Sequence, residues 1–286
     1  MSMPFYVSPE QSMRDKADYA RKGVARSRSS VVVQYSGGIL LVTPNMSSVL
    51  HKISEIYDRI AFAAVGRYNE YEVLRKAGVT YADLTGYQFD RGDVTARGLA
   101  NWYAQALGTN FSEPSGKPYE VEIVVAEVGV KPDSDQIYRI SWDGSVSDEP
   151  GFVAFGGQAD QVATALKERF ADGMSLTEAL GAALAALTAP AAAAAGTTAA
   201  AGNGAQPELT AANLEVAILD RARAHRTFRR LQGPRLEELI AASRAPAATE
   251  TAEPAAEPAE PAEQADKPAG EPPTGPTKPG DGSPLL

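Results

Sequence analysis

Short apolar runs recur along the first 240 residues and predict strands that come in pairs. The segment SVVVQY, a Ser-Gly-Gly turn and ILLV together have the pattern of a β-hairpin. KISEIY, an Asp-Arg turn and IAFAAVG have the same pattern. Further strands are predicted at YEVEIVVAEV, DQIYRISW, FVAFGG, LEVAILD and HRTFRRL, with a hairpin turn at Asp143-Gly144.

Apolar positions three or four residues apart predict helices before and between these strand groups. The first helix is expected to begin at a capping box that starts at Ser12. Two helices are expected to begin near Asn69 and after a cap at Asp93, and a later one after a capping box that starts at Ser175. Other helices are predicted at QADQVATALKERF and PRLEELIAAS.

The order of these elements predicts an α+β fold. Strand groups alternate with pairs of helices, which suits two packed sheets with helices on both outer faces. A single helix-covered parallel sheet fits less well, because parallel crossovers alternate strand and helix one at a time.

Two low-complexity segments stand apart from this pattern. The alanine-rich run at 189–208 is expected to be a surface loop inside the domain 12–244. Residues 245–286 contain ten of the 20 prolines and no aromatic residue, so this part cannot bury enough apolar surface to offset its chain entropy. We expect a disordered acidic tail.

Charge and composition narrow the choice of partners and chemistry. The net charge is -9, and residues 245–286, with eight acidic and two basic residues, carry -6 of it, which leaves -3 for residues 1–244. A nearly neutral body does not attract nucleic acid or a membrane by charge alone. With no cysteine and two histidines, we expect no metal site and no cofactor. The N-terminus has no apolar signal segment, so a cytoplasmic location is expected.

Serines before the first predicted strand raise the alternative of a hydrolase. An autoprocessed enzyme would expose Ser29 or Ser30 as an N-terminal nucleophile, after removal of the preceding residues. His51 and His225 are not spaced in a way that specifies a catalytic triad. A predicted amphipathic helix in front of the serines also disfavours this alternative.

The cluster RARAHRTFRRLQGPR is basic and contains one aromatic residue, Phe228. RNA binding is one interpretation of it. Strand alternation would place Arg226, Phe228 and Arg230 on one face and the intervening residues on the other. We therefore favour a structural strand with a solvated or interface edge.

Several segments together resemble the α subunits of the 20S proteasome core, most closely the actinobacterial type. The resemblance extends over about residues 4–240 and rests on YVSPEQSMRDKADYARKGVARS, SGGILLV, LHKISEIYDRIAFAAVGRYNEYEVL, GYQFDRGDV, YEVEIVVAEV, RISWDGS and LEVAILDRARAHRTFRRL. It implies the four-layer αββα sandwich of the N-terminal nucleophile hydrolases, in agreement with the paired pattern. It also implies a non-catalytic subunit, because the family's threonine position falls at Arg28 and its acidic position at Pro44, while Lys52 alone keeps its type.

The resemblance further implies a heptameric ring that caps a chamber of β subunits and gates the entry of protein substrates. A hexameric AAA-type ATPase would insert its C-terminal tails between neighbouring α subunits and deliver proteins marked with a small protein tag. Lys52 matches the lysine that binds the tail, and Gly66 matches the glycine whose backbone lies beside it.

The resemblance also implies that residues 1–11 form a gating segment over the axial pore. Apolar side chains in this segment would meet their copies around the ring axis. The expected gate residues, including a hinge proline and a supporting tyrosine, are Met3, Phe5, Tyr6, Pro9 and Tyr19.

Overall fold

A computed structural model of the chain describes residues 8–197 and 209–244, without the side chains of 191–197. Within these residues two antiparallel sheets pack against each other. The strands in chain order are Ser30–Tyr35 (β1), Gly38–Pro44 (β2), Ile53–Tyr57 (β3), Ile60–Gly66 (β4), Val121–Glu127 (β5), Gln136–Ile140 (β6), Val146–Asp148 (β7), Phe152–Phe155 (β8), Leu214–Asp220 (β9) and Phe228–Leu231 (β10). One sheet has the order β10-β9-β2-β1-β8 and the other β3-β4-β5-β6-β7.

Helices cover the outer faces of both sheets. In chain order they are Pro9–Ala25 (α1), Tyr68–Gln88 (α2), Ala96–Ser112 (α3), Ala159–Lys167 (α4), Leu176–Thr197 (α5) and Pro234–Arg244 (α6). Helices α4, α5 and α6 share an apolar cluster with the first sheet, and α2 and α3 share another with the second sheet. A third cluster lies between the two sheets. The predicted four-layer αββα fold is confirmed.

Alternation along the strands builds these layers. In β1, Val31 and Val33 belong to the cluster under the helices, whereas Val32 belongs to the cluster between the sheets. Successive side chains of a strand point to opposite faces, so a central strand buried on both faces is apolar throughout. The three consecutive valines of SVVVQY therefore show no alternation in the sequence, although their side chains pack into two different apolar clusters.

Two helices begin at other residues than predicted. Helix α1 begins at Pro9, because the Ser8 side chain accepts a hydrogen bond from Gln11 N. The predicted start at Ser12 is therefore wrong by one turn. Helix α3 is capped by Thr95, whose hydroxyl accepts from Gly98 N at 3.1 Å, and not by Asp93. Asp93 instead belongs to a short capped 3-10 turn.

The prediction of a surface loop at 189–208 is wrong for its first half. Helix α5 continues through this run to Thr197 and contains Pro190. Alanine has the highest helix propensity, and it sustains the helix past a proline that would otherwise tend to end it. The remaining loop residues, 198–208, and the predicted tail, 245–286, lie outside the described residues.

The last strand is shorter than HRTFRRL. Strand β10 begins at Phe228, and Arg226 has a φ of 47°, in the left-handed region. The turn after β9 therefore extends through Arg226, and the predicted alternation of faces fails for His225 and Arg226. The capping box at Ser175 is confirmed, since Ser175 N donates to Glu178 Oε2 and Glu178 N donates to Ser175 Oγ.

Candidate functional site

The residues expected to bind a chain terminus lie at one end of the β3–β4 hairpin. Ala64 N donates to Lys52 O at 3.0 Å, and Gly66 follows two residues later at the end of β4. The end of β2 meets the same place, because Lys52 Nζ donates to Pro44 O at 3.2 Å. We call this end of the molecule the Lys52–Gly66 site.

Lys52 is a half-buried cation whose charge is not balanced by an ion pair within the described residues. Burial lowers the pKa of Lys52, the charge of Glu215 opposes that shift, and the charge of Arg28 adds to it. Burial and nearby positive charge both disfavour the ammonium form. A carboxylate that entered the site would stabilise the ammonium form of Lys52 against both burial and the charge of Arg28.

Glu215 on β9 holds the backbone that carries Lys52. Its buried carboxylate accepts from Lys52 N at 2.9 Å, Ile53 N at 3.2 Å and Asn45 Nδ2 at 2.8 Å, and it pairs with Arg230. These donors occupy the carboxylate. Glu215 therefore orients Lys52 through its main chain and leaves the ammonium group available.

Gly66 is required by the backbone around it. Its φ of 108° lies in a region that favours glycine, and a Cβ there would overlap the carbonyl oxygen of Glu120. The next residue continues the contact, since Arg67 N donates to Glu120 O at 3.0 Å. The absence of a side chain lets β4 approach the start of β5.

The two serines of the hydrolase alternative are engaged in structural hydrogen bonds. Ser30 Oγ lies 2.7 Å from Thr43 Oγ1 in the buried region, and Ser29 Oγ accepts from Gln158 N at 3.0 Å. Within residues 8–197 and 209–244, no histidine or carboxylate forms a hydrogen bond with either serine. Exposed Arg28 directly precedes them. Both hydroxyl groups therefore serve the fold, and among the described residues neither has a side chain beside it that could act as a general base.

The structure describes only the base of the predicted gate. Met3, Phe5 and Tyr6 lie outside the described residues. Pro9 is the first residue of α1, and Tyr19 is exposed on the same helix, where Lys117 Nζ lies 5.6 Å from its ring centre. The roles of these residues stay predictions.

Sequence reasoning missed two buried carboxylates that organise this region, Glu215 and Glu120. Glu215 is the second residue of the strand in LEVAILD, and Glu120 is the first Glu of YEVEIVV, directly before β5. A lone acidic residue beside a buried strand is a usable signal, because a charge is rarely buried without a partner. The partners themselves come from distant segments.

Four of the six arginines in the basic cluster form ion pairs with carboxylates of the chain. Arg230 pairs with Glu215, and Arg221 forms a two-contact ion pair with Asp135, with both distances 2.7 Å. Such pairing agrees with the structural interpretation of this segment. In the described part of the chain, no helix is long and apolar enough to cross a membrane, and no cluster of three or more potential metal ligands occurs.

Known proteins match this chain over most of its length. The family model described as "Proteasome subunit" matches residues 24–201. A protein named proteasome subunit alpha from Thermomonospora curvata is 63% identical over 241 residues, which cover 84% of this chain and 99% of the relative. Those of Streptosporangium roseum and Streptomyces scabiei are 64% identical over 250 residues and 57% identical over 253 residues, covering 87% and 88% of this chain and 91% and 98% of the relatives.

The match extends over most of the chain and nearly the whole length of its relatives. The chain belongs to the proteasome subunit family, as a non-catalytic alpha-type subunit of the 20S core.

Proposed function

We propose that this subunit forms a heptameric ring with its own copies, caps a chamber of proteasome β subunits and gates the entry of protein substrates in the cytoplasm. In this role the Lys52–Gly66 site receives the C-terminal carboxylate of a hexameric AAA-type ATPase, which delivers tagged proteins. The gate is the segment in front of α1, with Met3, Phe5 and Tyr6 over the pore and with Pro9 and Tyr19 at its base.

One observation supports ATPase docking above the others: Lys52 is half-buried and positively charged, without an ion pair in the described residues. Among the described residues its ammonium has one hydrogen-bond acceptor, Pro44 O, and the Gly66 backbone lies at the same end of the hairpin. A carboxylate there would accept a charge-assisted hydrogen bond, worth about 1.5–3 kcal/mol.

The first prediction concerns Lys52→Met in particles assembled with the β subunits. The variant keeps the length of the side chain and removes the charge, so we expect a C-terminal peptide of the cognate ATPase to bind about 10- to 100-fold more weakly. Fluorescence anisotropy with a labelled peptide measures this affinity. The same peptide with an amidated C-terminus should bind weakly to the unmodified particles as well, because it lacks the carboxylate.

Lys76→Met is the matched control, since Lys76 is an exposed lysine on α2. It should leave the affinity unchanged. Equal affinity of the carboxylate peptide for Lys52→Met and unmodified particles would contradict the role of Lys52.

Stability provides an independent check on the Lys52→Met variant. The lowered pKa of Lys52 means that the unfolded chain binds more protons than the folded chain between that pKa and the ordinary value of 10.5. The stability contribution of Lys52 therefore rises with pH through this window, and at neutral pH its charge is a penalty. Lys52→Met should fold at least as stably as the unmodified chain, which separates loss of binding from loss of structure.

A further inference from the structure

A partly open cavity of about 240 Å³ lies beside the start of β9, and we call it the His51 cavity. Its walls come from the loop 45–51, the first residues of β9, the end of β10 and the start of α6. It is larger than the apolar cavity of about 150 Å³ that holds a benzene ring in another protein core. The cavity therefore has room for a small ligand as well as for water.

Several polar side chains that line this cavity have hydrogen-bonding groups that the described residues do not use. His51 Nδ1 is buried and lies 3.3 Å from Glu215 Oε1, yet it has no hydrogen-bond partner among the described residues. Ser47 Oγ accepts two backbone hydrogen bonds and donates to no described residue. The side chains of Ser48 and Gln232 make no hydrogen bond within the described part of the chain. A ligand with acceptor oxygens would satisfy these groups.

The charge around the His51 cavity favours an anion. Among the described residues that line it, Glu215 is the one carboxylate, and its oxygens are already occupied by backbone and side-chain donors and by Arg230. Arg230 donates to Glu215 and to Ile53 O, so some N–H groups of its guanidinium stay available. With Glu215 balanced by Arg230, the remaining nearby charge is the positive charge of Lys52.

This combination of groups fits a phosphate better than a carboxylate. A phosphate ester carries up to about two negative charges and three strong acceptor oxygens, and a guanidinium is a preferred partner for it. The two serine hydroxyls, the His51 ring and Arg230 supply donors for these oxygens. The rest of the wall is apolar and would contact the organic part of an ester. Its buried residues are Leu214, Val216, Leu231 and Leu236.

We propose that the His51 cavity binds a phosphate group, as free phosphate or as the end of a small phosphomonoester. The phosphate oxygens accept from Ser48, His51 and Arg230, and an ester group packs against the apolar wall. This inference goes beyond the proposed function and does not depend on it, because Lys52 is not among the residues that line the cavity.

The test measures the binding of inorganic phosphate and of phenyl phosphate to the full-length subunit assembled with the β subunits. Phosphorus NMR titration detects both probes, and we expect saturable binding with a dissociation constant of about 1 mM or lower. Tighter binding of phenyl phosphate would identify an ester as the ligand, because the ring buries apolar surface. Equal affinities would identify free phosphate. The absence of saturable binding for both probes overturns the inference.

Ser48→Asp tests whether the cavity is the site. It places a negative charge at an exposed position on the wall, so the variant should fold normally and bind phosphate at least about tenfold more weakly. Ser115→Asp is the matched control, since Ser115 is also exposed, makes no hydrogen bond within the described residues and does not line the cavity. It should leave the affinity unchanged. Arg230 is kept, because its loss would leave Glu215 buried without its cation.

Two further variants make the result specific. His51→Gln removes the ring without breaking a buried ion pair between permanent charges and should also weaken phosphate binding. Lys52→Met tests whether phosphate instead occupies the Lys52–Gly66 site, and in this variant the phosphate affinity should stay within about threefold. Unchanged affinity in both Ser48→Asp and His51→Gln overturns the inference. Loss of binding in Lys52→Met with normal binding in Ser48→Asp overturns it as well.

Discussion

At the scale of single residues, one glycine satisfies two demands. The backbone of Gly66 approaches the start of β5 so closely that a side chain has no space, and its positive φ excludes most other residues. The same backbone lies at the end of β4, where we propose that a chain terminus enters. Stability measurements therefore test how the Gly66 backbone fits against β5, whereas binding measurements test its proposed place beside a chain terminus.

Gly66→Ala should lower the free energy of unfolding by about 3–5 kcal/mol, from backbone strain and overlap with Glu120 O. Urea denaturation of the isolated subunit measures this change. Gly173→Ala is the matched control, because Gly173 also has a positive φ of 78° but has open space around it. The free energy of unfolding of the Gly173→Ala control should fall by only about 1–2 kcal/mol. Equal losses would show that the overlap at Gly66 is relieved by movement of β5.

At the scale of elements, buried charged side chains at both ends of β9 connect the two sheets, one through hydrogen bonds to backbone and one through an ion pair. Glu215 near its start binds the backbone of β3, and Arg221 directly after its end binds Asp135, which directly precedes β6. Strands β3 and β6 belong to one sheet and β9 to the other. Apolar packing between sheets is non-directional, whereas these bonds specify how the sheets are placed relative to each other.

Asp135→Ala should lower the free energy of unfolding by about 3–5 kcal/mol, because it leaves the Arg221 guanidinium buried without its carboxylate. The side chains of Asp135 and Arg221 are only 2% and 12% exposed. Thermal and urea unfolding measure the effect. Asp18→Ala, which removes an exposed pair with Arg21, should change stability by no more than about 1 kcal/mol. A similarly small change for Asp135→Ala would mean that solvent reaches Arg221 readily.

At the scale of the whole molecule, the layered body and the segment before it have separate roles. The four layers bury the apolar clusters and present the Lys52–Gly66 site, while residues 1–7 precede α1. Ser8 belongs to the body, because its side chain caps α1. A deletion that tests the gate should therefore stop before Ser8.

Deleting residues 2–7 should raise the hydrolysis of small peptides by particles assembled with the β subunits, because the barrier over the pore is removed and the cap of α1 is kept. Peptidase assays with a fluorogenic substrate measure the rate. Native mass spectrometry checks that seven copies of the subunit still assemble. An unchanged rate in correctly assembled particles would mean that this segment is not the barrier.

Much of the fold was predictable from local pattern. The hairpin at SVVVQY and ILLV and the helix after Ser175 were recognisable because strand alternation, glycine turns and capping boxes involve only neighbouring residues. The start of α1 was misplaced because serine caps helices well at either position, and in the structure it is Ser8 whose side chain accepts from the first turn. The helix through Pro190 was missed because alanine-rich sequence is compatible with both loop and helix.

The sequence by itself determined the order of strands and helices, the apolar faces that stack into four layers, and the absence of a threonine nucleophile before β1. These follow from side-chain periodicity and residue identity, which are local properties. Only the tertiary structure decided that Glu215 holds the backbone of Lys52, that Gly66 fits against Glu120, and that Glu120 reaches α1 at Gly23. The contacts of a buried charge such as Glu215 come from segments up to 170 residues away, and no local pattern records them.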